Sequence, residues 1–402
     1  MRSETVQLPK YFKGIQETEK QLDPLNMKIL SAMWKFGPRN LLEVSRRTNL
    51  PFTTVYHRVH KLEAKSKRIV YLDPQTNRLG LVRVLVPVTA RVGNEELVAR
   101  ALRIPNLWYV INGCEGSFTH LSSHRVPFLS VSDLKRYISY LHMSGLITNF
   151  KFIATTDPIP NFPDFRYYVP DRKQWSFQWE RWARALRQIT PKVIDDPEDY
   201  KLDADYRDLL IIKELEKNGR KTFAELAPIL GISLQAVKYR YDRLVSAGII
   251  KYFTFDVWRF PVEISAYHEV MLQFTSKTAM NAFFALVPEL MFVYSVAKVL
   301  GENSLMVRTY LPQSQVTNMF GFFSELAKAG FLASCSSVRL DFANRQNQTI
   351  SYELFQDQKG WAFNLDESLS QLSRLTPPRI FAETPDRTNR ITNQGAFESA
   401  LR

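Results

Sequence analysis

The 402-residue sequence has only two cysteines, Cys114 and Cys335, and it lacks long apolar runs and familiar catalytic motifs. Two thiols exclude a disulfide-stapled fold and a cysteine-rich zinc site, and they fit a reducing compartment. The first residues carry no apolar signal region, and no stretch is long enough to span a bilayer. Glycine-rich phosphate loops, nucleophile elbows and helical metal-ligand motifs are also missing. We therefore expect a soluble cytoplasmic protein without catalytic residues, metal or cofactor.

Positive charge is in excess. The 53 Lys and Arg residues outnumber the 40 Asp and Glu residues, which gives a formal net charge of +13 at pH 7. Such a balance favours a polyanionic partner, either nucleic acid or an anionic membrane surface. The hydrophobic content of 45% is that of a soluble globular protein. The length predicts two or more domains with cores of their own.

Residues 202–251 have the pattern of a helix-turn-helix with a wing. Apolar residues recur at helical spacing up to a break, and a second short helix follows. Gly231 supplies the backbone angles of a tight turn, and Ser233 is placed to accept a hydrogen bond from the free amides of the third helix. That helix ends at Gly248, and a β-rich run follows it. This outline is typical of nucleic-acid readers, although helical fragments with glycine turns are also common.

The same pattern occurs about 180 residues earlier, which indicates an internal repeat. Pro24 suits the first turn of the first helix, where no amide partner is lost. Five pairs of residues share a single spacing of 182 residues: Gly37 with Gly219, Leu50 with Ile232, Val55 with Val237, Arg58 with Arg240, and Leu62 with Leu244.

Each helical unit precedes a stretch that reads β-α-β-β-α-β. The expected strands are residues 79–91, 108–112, 118–125 and 146–154 in the first copy, and 264–274, 291–297, 304–311 and 331–340 in the second. The second helix of each stretch ends at a glycine, Gly145 or Gly330. This order is that of a ferredoxin-like split. The predicted fold class is therefore α+β, with two winged helix-turn-helix domains each followed by a ferredoxin-like βαββαβ module.

The expected domain boundaries follow from the repeat and from changes in composition. A stripe of Trp175, Trp179 and Trp182 predicts a helix between the copies, packed against a sheet or the other half, and the acidic residues after it predict a solvated linker. The expected segments are an N-terminal arm (1–20), winged helix-turn-helix domains (21–75 and 201–258), βαββαβ modules (79–174 and 262–363), the Trp-rich helix with the linker (175–200), and a flexible tail (366–402).

This arrangement resembles the Lrp/AsnC family of prokaryotic transcriptional regulators over residues 22–155 and 202–342. The resemblance rests on the helix-turn-helix spacing, the order of the second module and the Leu-Asp pairs that open the copies, Leu22-Asp23 and Leu202-Asp203. In the family the helical domain binds double-stranded DNA, and the second module dimerises and often senses small metabolites. The resemblance implies a sequence-specific, nucleoid-associated regulator. Because the family usually has one copy, two copies in one chain would form an intramolecular pseudo-dimer, with further self-association through the modules.

Candidate DNA-binding residues lie on the third helix of each copy and in the first wing. Arg and Lys can neutralise phosphates or reach guanine, whereas Gln and Thr suit base edges. The alternative interpretation is a solvated helix face. The candidates are Thr53, Thr54, Tyr56, His57, Arg58, Lys61, Lys65, Lys67 and Arg68 in the first copy, and Gln235, Lys238, Tyr239, Arg240 and Arg243 in the second.

The glycine-then-acid motif of the family has a hydroxyl in place of Asp in both copies of this chain. Gly116, Thr119, Gly301 and Ser304 are therefore candidate effector-binding residues, and the missing Asp is a departure from the amino-acid-sensing pattern of the family.

Two other functions remain open. Sirohaem decarboxylases share this architecture and also occur as two related copies, which implies an enzyme of tetrapyrrole biosynthesis. The modules show no cluster of His and Arg in matched positions that would support it. The other alternative is a ligand-sensing scaffold without DNA binding.

Overall fold

The computed structural model describes residues 13, 15–18, 20–66, 70–255, 259–357 and 359–375. Within these ranges the fold is α+β, with two winged helix-turn-helix domains that each precede a ferredoxin-like βαββαβ module, as predicted. Of the N-terminal arm, residues 15–18 are helical. None of the helices in the described ranges combines the length and the apolar character that crossing a bilayer requires.

The first helix-turn-helix domain begins where Asp23 caps the first helix. Its carboxylate accepts hydrogen bonds from the amides of Leu25 and Asn26, and Pro24 occupies the first turn. Asn49 ends the second helix in the left-handed conformation. The elements are α1 (Pro24–Phe36), α2 (Leu41–Thr48), α3 (Phe52–Ser66) and the wing strand β1 (Tyr71–Leu72).

The first module follows with its two helices on one face of the sheet, where they bury a core of Val, Leu and Ile side chains. A short hairpin and one further helix lead out of it. The elements are β2 (Leu81–Ala90), α4 (Glu95–Ala101), β3 (Trp108–Glu115), β4 (His120–Pro127), α5 (Val131–Met143), β5 (Ile147–Phe150), β6 (Ile153–Thr155), β7 (Ile159–Pro160), β8 (Tyr168–Val169), β9 (Gln174–Trp175) and α6 (Trp179–Ala185).

The second copy repeats this order. Capping boxes begin its first two helices, with Asp205 and Asp208 in one and Thr222 and Glu225 in the other. The elements are α7 (Tyr206–Lys217), α8 (Phe223–Leu230), α9 (Leu234–Ser246), β10 (Phe253–Thr254), β11 (Ser265–Phe274), α10 (Lys277–Leu286), β12 (Val293–Lys298), β13 (Ser304–Pro312), α11 (Val316–Lys328), β14 (Leu332–Asn347), β15 (Phe355–Gln356), β16 (Gly360–Trp361) and α12 (Leu365–Leu375).

The two modules share one sheet. Its strand order is β5-β2-β4-β3-β14-β11-β13-β12-β7, so that β3 of the first module pairs with β14 of the second. The segment from β6 to β7 joins the two ends, because β6 pairs with β2, β7 pairs with β12, and Thr155 bridges Val299. The sheet therefore closes on itself. One of its faces becomes an interior shared by both modules.

Three segments differ from the sequence-based expectation. Residues from 366 were expected to be flexible, but α12 is a helix that packs Leu365, Leu369 and Leu372 on the first module, and residues after 375 lie outside the described ranges. The acidic linker is not simply solvated, because its carboxylates form ion pairs with lysines of the second module. The Trp-rich helix begins only at Trp179, since Trp175 belongs to β9. Its expected packing against the other half is confirmed by ring contacts with Phe292.

Candidate nucleic-acid interface

The third helices of the two domains, α3 and α9, expose the same positions of the repeat. On α3 the side chains of Thr53, Tyr56, His57 and Lys61 are exposed, and Thr54 is half-buried. On α9 the side chains of Gln235, Lys238, Tyr239 and Arg243 are exposed, and Tyr239 keeps 71% of its surface accessible. The opposite faces are anchored by buried apolar residues, Val55, Val59 and Leu62 on α3 and Val237 and Leu244 on α9. Each helix thus presents a polar and aromatic strip to solvent.

Arg240 faces inward and ties α9 to the start of α7. Its Nη1 donates hydrogen bonds of 2.7 and 2.8 Å to the carboxylate of Asp205 and of 2.9 Å to that of Asp208. Arg243 donates to the second oxygen of Asp208, whose side chain is fully buried. Although burial opposes the charge, the hydrogen bonds from Arg240 hold the pKa of Asp205 below its ordinary value. These contacts set the angle between the two helices.

Arg58 makes the equivalent contacts in the first domain. Its Nη1 donates to both oxygens of Asp23, at 2.7 and 2.9 Å, and to the side-chain oxygen of Asn26 at 3.0 Å. The arginine and its partners stand 35 and 32 residues apart in both domains. In this structure, three predicted DNA-binding residues, Arg58, Arg240 and Arg243, are engaged within their own domains.

The predicted basic wing is only partly described. Lys65 belongs to α3, while Lys67 and Arg68 lie outside the described residues. The strand that follows, β1, pairs with β10 of the other domain, with Tyr71 opposite Thr254 and Leu72 opposite Phe253. The two wings therefore form one small sheet between the domains.

The two helix-turn-helix domains also contact each other directly. Arg39 donates to the backbone oxygen of Lys221 at 2.9 Å and to the hydroxyl of Tyr241 at 3.1 Å. Arg220 forms an ion pair with Glu63 at 2.8 Å. The separation of the two third helices is consequently fixed by contacts within one chain.

The predicted effector-binding residues lie in the β3–β4 and β12–β13 turns. The hydroxyl of Thr119 accepts from the amide of Ala90 and contacts His120, and the hydroxyl of Ser304 donates to Glu302. Gly116 and Gly301 adopt positive φ values that the turns require. The contacts of both hydroxyls therefore lie within their own modules.

Sequence reasoning missed a cluster of arginines between the modules and the helical domains. Arg83, Arg125 and Arg259 are buried, Arg308 is half-buried, and all four line a cavity of about 540 Å³. Their only signal in the sequence is a charged residue inside an otherwise apolar strand, as at Arg83 in β2.

Comparison with known proteins gives matches that span most of this chain and others that span one copy. The siroheme decarboxylase NirDL has a TM-score of 0.48 and 10% identity, over 91% of this chain and 98% of that structure. The HTH-type transcriptional regulator LysM of Sulfurisphaera tokodaii is 43% identical over 54 residues, which are 13% of this chain and 39% of that protein.

Two further matches concern the helical domain and its surroundings. The winged helix-turn-helix DNA-binding family matches residues 205–251, which cover α7, α8 and α9. PH0061 of Pyrococcus horikoshii, named as an uncharacterized HTH-type transcriptional regulator, is 31% identical over 108 residues, 26% of this chain and 71% of its own length. The chain therefore belongs to the family of HTH-type transcriptional regulators that includes PH0061.

Proposed function

We propose that this protein is a sequence-specific DNA-binding transcriptional regulator, of the Lrp/AsnC type in tandem duplicate, that acts as an intramolecular pseudo-dimer. The observation that carries the proposal is the exposure of equivalent polar strips on α3 and α9, the second of which lies in the segment that matches a winged helix-turn-helix DNA-binding family. A helix docked in the major groove needs such a strip, free of the domain's own packing.

The residues proposed to contact DNA divide into two groups. Exposed side chains and the half-buried Thr54 would read or grip the duplex: Thr53, Thr54, Tyr56, His57 and Lys61 on α3, and Gln235, Lys238 and Tyr239 on α9. Arg58 and Arg240 are positioning residues in this proposal, because they hold each third helix against the first. Arg243 combines both features, since it is exposed and also paired with Asp208.

The contact between the wings supports the pseudo-dimer. At the repeat spacing of 182 residues, Tyr71 corresponds to Phe253 and Leu72 corresponds to Thr254. In the paired wings Tyr71 lies opposite Thr254 and Leu72 lies opposite Phe253, so the pairing is symmetric. This is the pattern of an isologous interface, in which the same patch of two units meets around a two-fold axis. Two non-identical readers related in this way would recognise an imperfect palindrome.

We also propose that a small-molecule effector regulates the protein. A small-molecule effector at the hairpin turns would be held mainly by backbone groups, because the hydroxyls of Thr119 and Ser304 already have partners within the chain. Action at the nucleoid and further self-association through the modules follow from the same resemblance. The proposal assigns no catalytic activity.

A salt-dependent binding titration on random and genomic DNA fragments tests the proposal, followed by footprinting of any preferred fragment. Affinity should fall steeply as salt rises, and the footprint should show two half-sites. Lys61→Ala and Lys238→Ala should each reduce the salt slope by about 1. Lys328→Ala is the matched control, because that lysine is exposed on α11 of the second module.

Absence of binding at low salt would refute the proposal. Equal slopes for the wild type and both α3 and α9 variants would refute the assignment of these helices. A tetrapyrrole absorbance of the purified protein would instead favour the enzymatic alternative.

A further inference from the structure

The cavity of about 540 Å³ lies where all four domains meet. The closed sheet contributes β2, β3, β4, β12 and β13, and the helical domains contribute Trp34 of α1 and Glu216 of α7. Its size is that of small-molecule sites in proteins. A ligand held here would touch both modules and both helix-turn-helix domains.

Two arginines of the first module lie side by side in the wall of this cavity. Arg83 on β2 and Arg125 on β4 are direct cross-strand partners, and each is only 4% exposed. Like charges in that arrangement repel each other, and a buried charge without a partner is costly. Arg83 donates one hydrogen bond, of 3.0 Å, to the hydroxyl of Thr155. It forms no ion pair with the described part of the chain.

The Arg125 guanidinium has donors to spare. Asp157 lies 3.7 Å from one of its terminal nitrogens, and the ring of Tyr109 lies beneath it at 4.8 Å. Its Nε and Nη1 are buried and have no hydrogen-bond partner among the described residues. Buried polar atoms normally find partners, so these two nitrogens point to a group that binds there.

A third arginine, Arg259, adds positive charge and pairs with no carboxylate among the described residues. Arg259 donates to backbone oxygens of Met291, Val293 and Asn161, and its Nε has no partner in the described ranges. Burial lowers the pKa of Arg83 and of Arg259 to about 10, so both remain charged at neutral pH. Both lose hydration that backbone and hydroxyl oxygens replace only in part.

The acidic residues of the cavity do not balance this charge. Arg308 is neutralised by Glu269, its cross-strand partner at 2.7 Å. Desolvation raises the pKa of Glu216 to about 8, so that it is mostly protonated at pH 7. Desolvation also raises the pKa of Asp73, to about 6. Among the described residues, Asp73 of the lining and Asp157 beside Arg125 are thus the counter-charges for Arg83, Arg125 and Arg259. Within the described part of the chain, the site has an excess of positive charge.

We propose that this cavity binds a compact organic anion with two or more carboxylate or phosphate groups, held by Arg83 and Arg125. A guanidinium presents paired donors that match the oxygens of either group. The Tyr109 ring and the hydroxyls of Ser123 and Ser295 supply the apolar and neutral polar contacts that fix orientation. The proposal does not depend on DNA binding, and its test does not use DNA.

Calorimetric titration of the full chain at pH 7 and constant ionic strength tests the site, with citrate and with inorganic phosphate as separate probes. We expect one molecule bound per chain. Arg125→Met should weaken binding by about tenfold or more, the loss of one or more charge-assisted hydrogen bonds. Arg125→Lys should retain part of the affinity. Arg181→Met, at an exposed arginine of α6, is the matched control and should bind as the wild type does.

The free protein supplies a second readout. Arg83→Met removes a buried charge that faces another, so it should raise the Tm without ligand and abolish most of the ligand-induced rise. Tight binding of citrate but not phosphate assigns the site to carboxylates, and the reverse assigns it to phosphates. Binding of neither probe, or equal binding by Arg125→Met and the wild type, overturns the proposal. A lower Tm for Arg83→Met together with unchanged binding would make that arginine structural.

Discussion

Arg58 and Arg240 occupy equivalent positions in the two helical domains but differ in one partner. Their removal should therefore lower the stability of the two domains by different amounts. Arg240 pairs with Asp208, whose side chain is fully buried, whereas Arg58 reaches the neutral Asn26 at the same position. Removing Arg240 leaves a buried carboxylate with Arg243 as its remaining basic partner. Removing Arg58 leaves only Asp23, which is more than a third exposed.

The expected magnitudes follow from that geometry. Breaking a fully buried ion pair costs about 3–5 kcal/mol. Arg240→Met should cost less, about 2–3 kcal/mol, because Asp205 is half-exposed and Arg243 remains. Arg58→Met loses hydrogen bonds to an exposed carboxylate and a neutral amide, about 1 kcal/mol. The two variants are matched controls for each other, since they remove the same side chain from equivalent positions.

Local hydrogen exchange is the suitable assay, because a chain of several domains does not unfold in two states. Mass-spectrometric exchange of peptides from α7 and α9 should accelerate by about 30–100-fold in Arg240→Met. Peptides from α1 and α3 should accelerate by about fivefold in Arg58→Met. Adding Asp208→Asn to Arg240→Met should reduce its effect towards that of Arg58→Met. Equal effects of the two arginine variants, or no recovery in the double variant, would refute the role of the buried carboxylate.

Two further perturbations test the packing between the domains. A Cβ at Gly219 would lie 2.9 Å from the backbone oxygen of Val70 and from the ring of Phe253, so Gly219→Ala should cost about 1–3 kcal/mol of stability and lower the Tm. Gly321→Ala, in open space on α11, is the control and should be neutral or stabilise the protein by up to about 1 kcal/mol. An unaffected Tm in Gly219→Ala would contradict the close contact of the wings. Glu216 has a pKa raised from 4.5 to about 8, so the folded state holds a proton that the unfolded chain releases, and this contribution to stability is lost as pH rises from about 4.5 to 8. Glu216→Gln should therefore have a higher Tm than the wild type at pH 8.5 and nearly the same Tm at pH 5; a constant difference across this range would exclude the titration.

Local signals in the sequence were sufficient for most helices and strands. The repeat predicts a second short helix in the first copy, and α2 agrees with it, because Asn40 caps its start and Asn49 takes the left-handed conformation at its end. The strand predicted over 146–154 divides into β5 and β6, which pair with β2 on either side of Pro87, a residue without an amide to donate. Strand β14 continues seven residues past its predicted end at 340, because its second half pairs with the other module. Reading one copy at a time cannot detect that pairing.

The candidate interface was predictable in its surface positions but not in the use of its arginines. When a third helix is considered alone, a basic residue on it is interpreted as a DNA contact. The contrary signal is a polar pair at the start of each first helix, Asp23 with Asn26 and Asp205 with Asp208, at a constant distance from the arginine in both copies. A charge reversal at Arg240 would therefore disturb the domain before it reported on DNA. Lys61 and Lys238 are the cleaner choices, because both are exposed on the helices that would enter the groove.

The arginine cavity was hidden for a different physical reason. Strand β2 is apolar on both faces apart from Arg83 and Thr89, so alternation does not show which face meets solvent. Arg83 and Arg125 are neighbours through the pairing of β2 with β4, but the sheet closes only through pairing between distant segments, and closure encloses the face on which the two arginines lie. Replacing such a buried charge by an apolar side chain is often neutral or stabilising, so the buried charge itself contributes little to the stability of the fold. A bound anion gives these charges a function, because it supplies the missing counter-charge at the point where both modules and both helical domains meet.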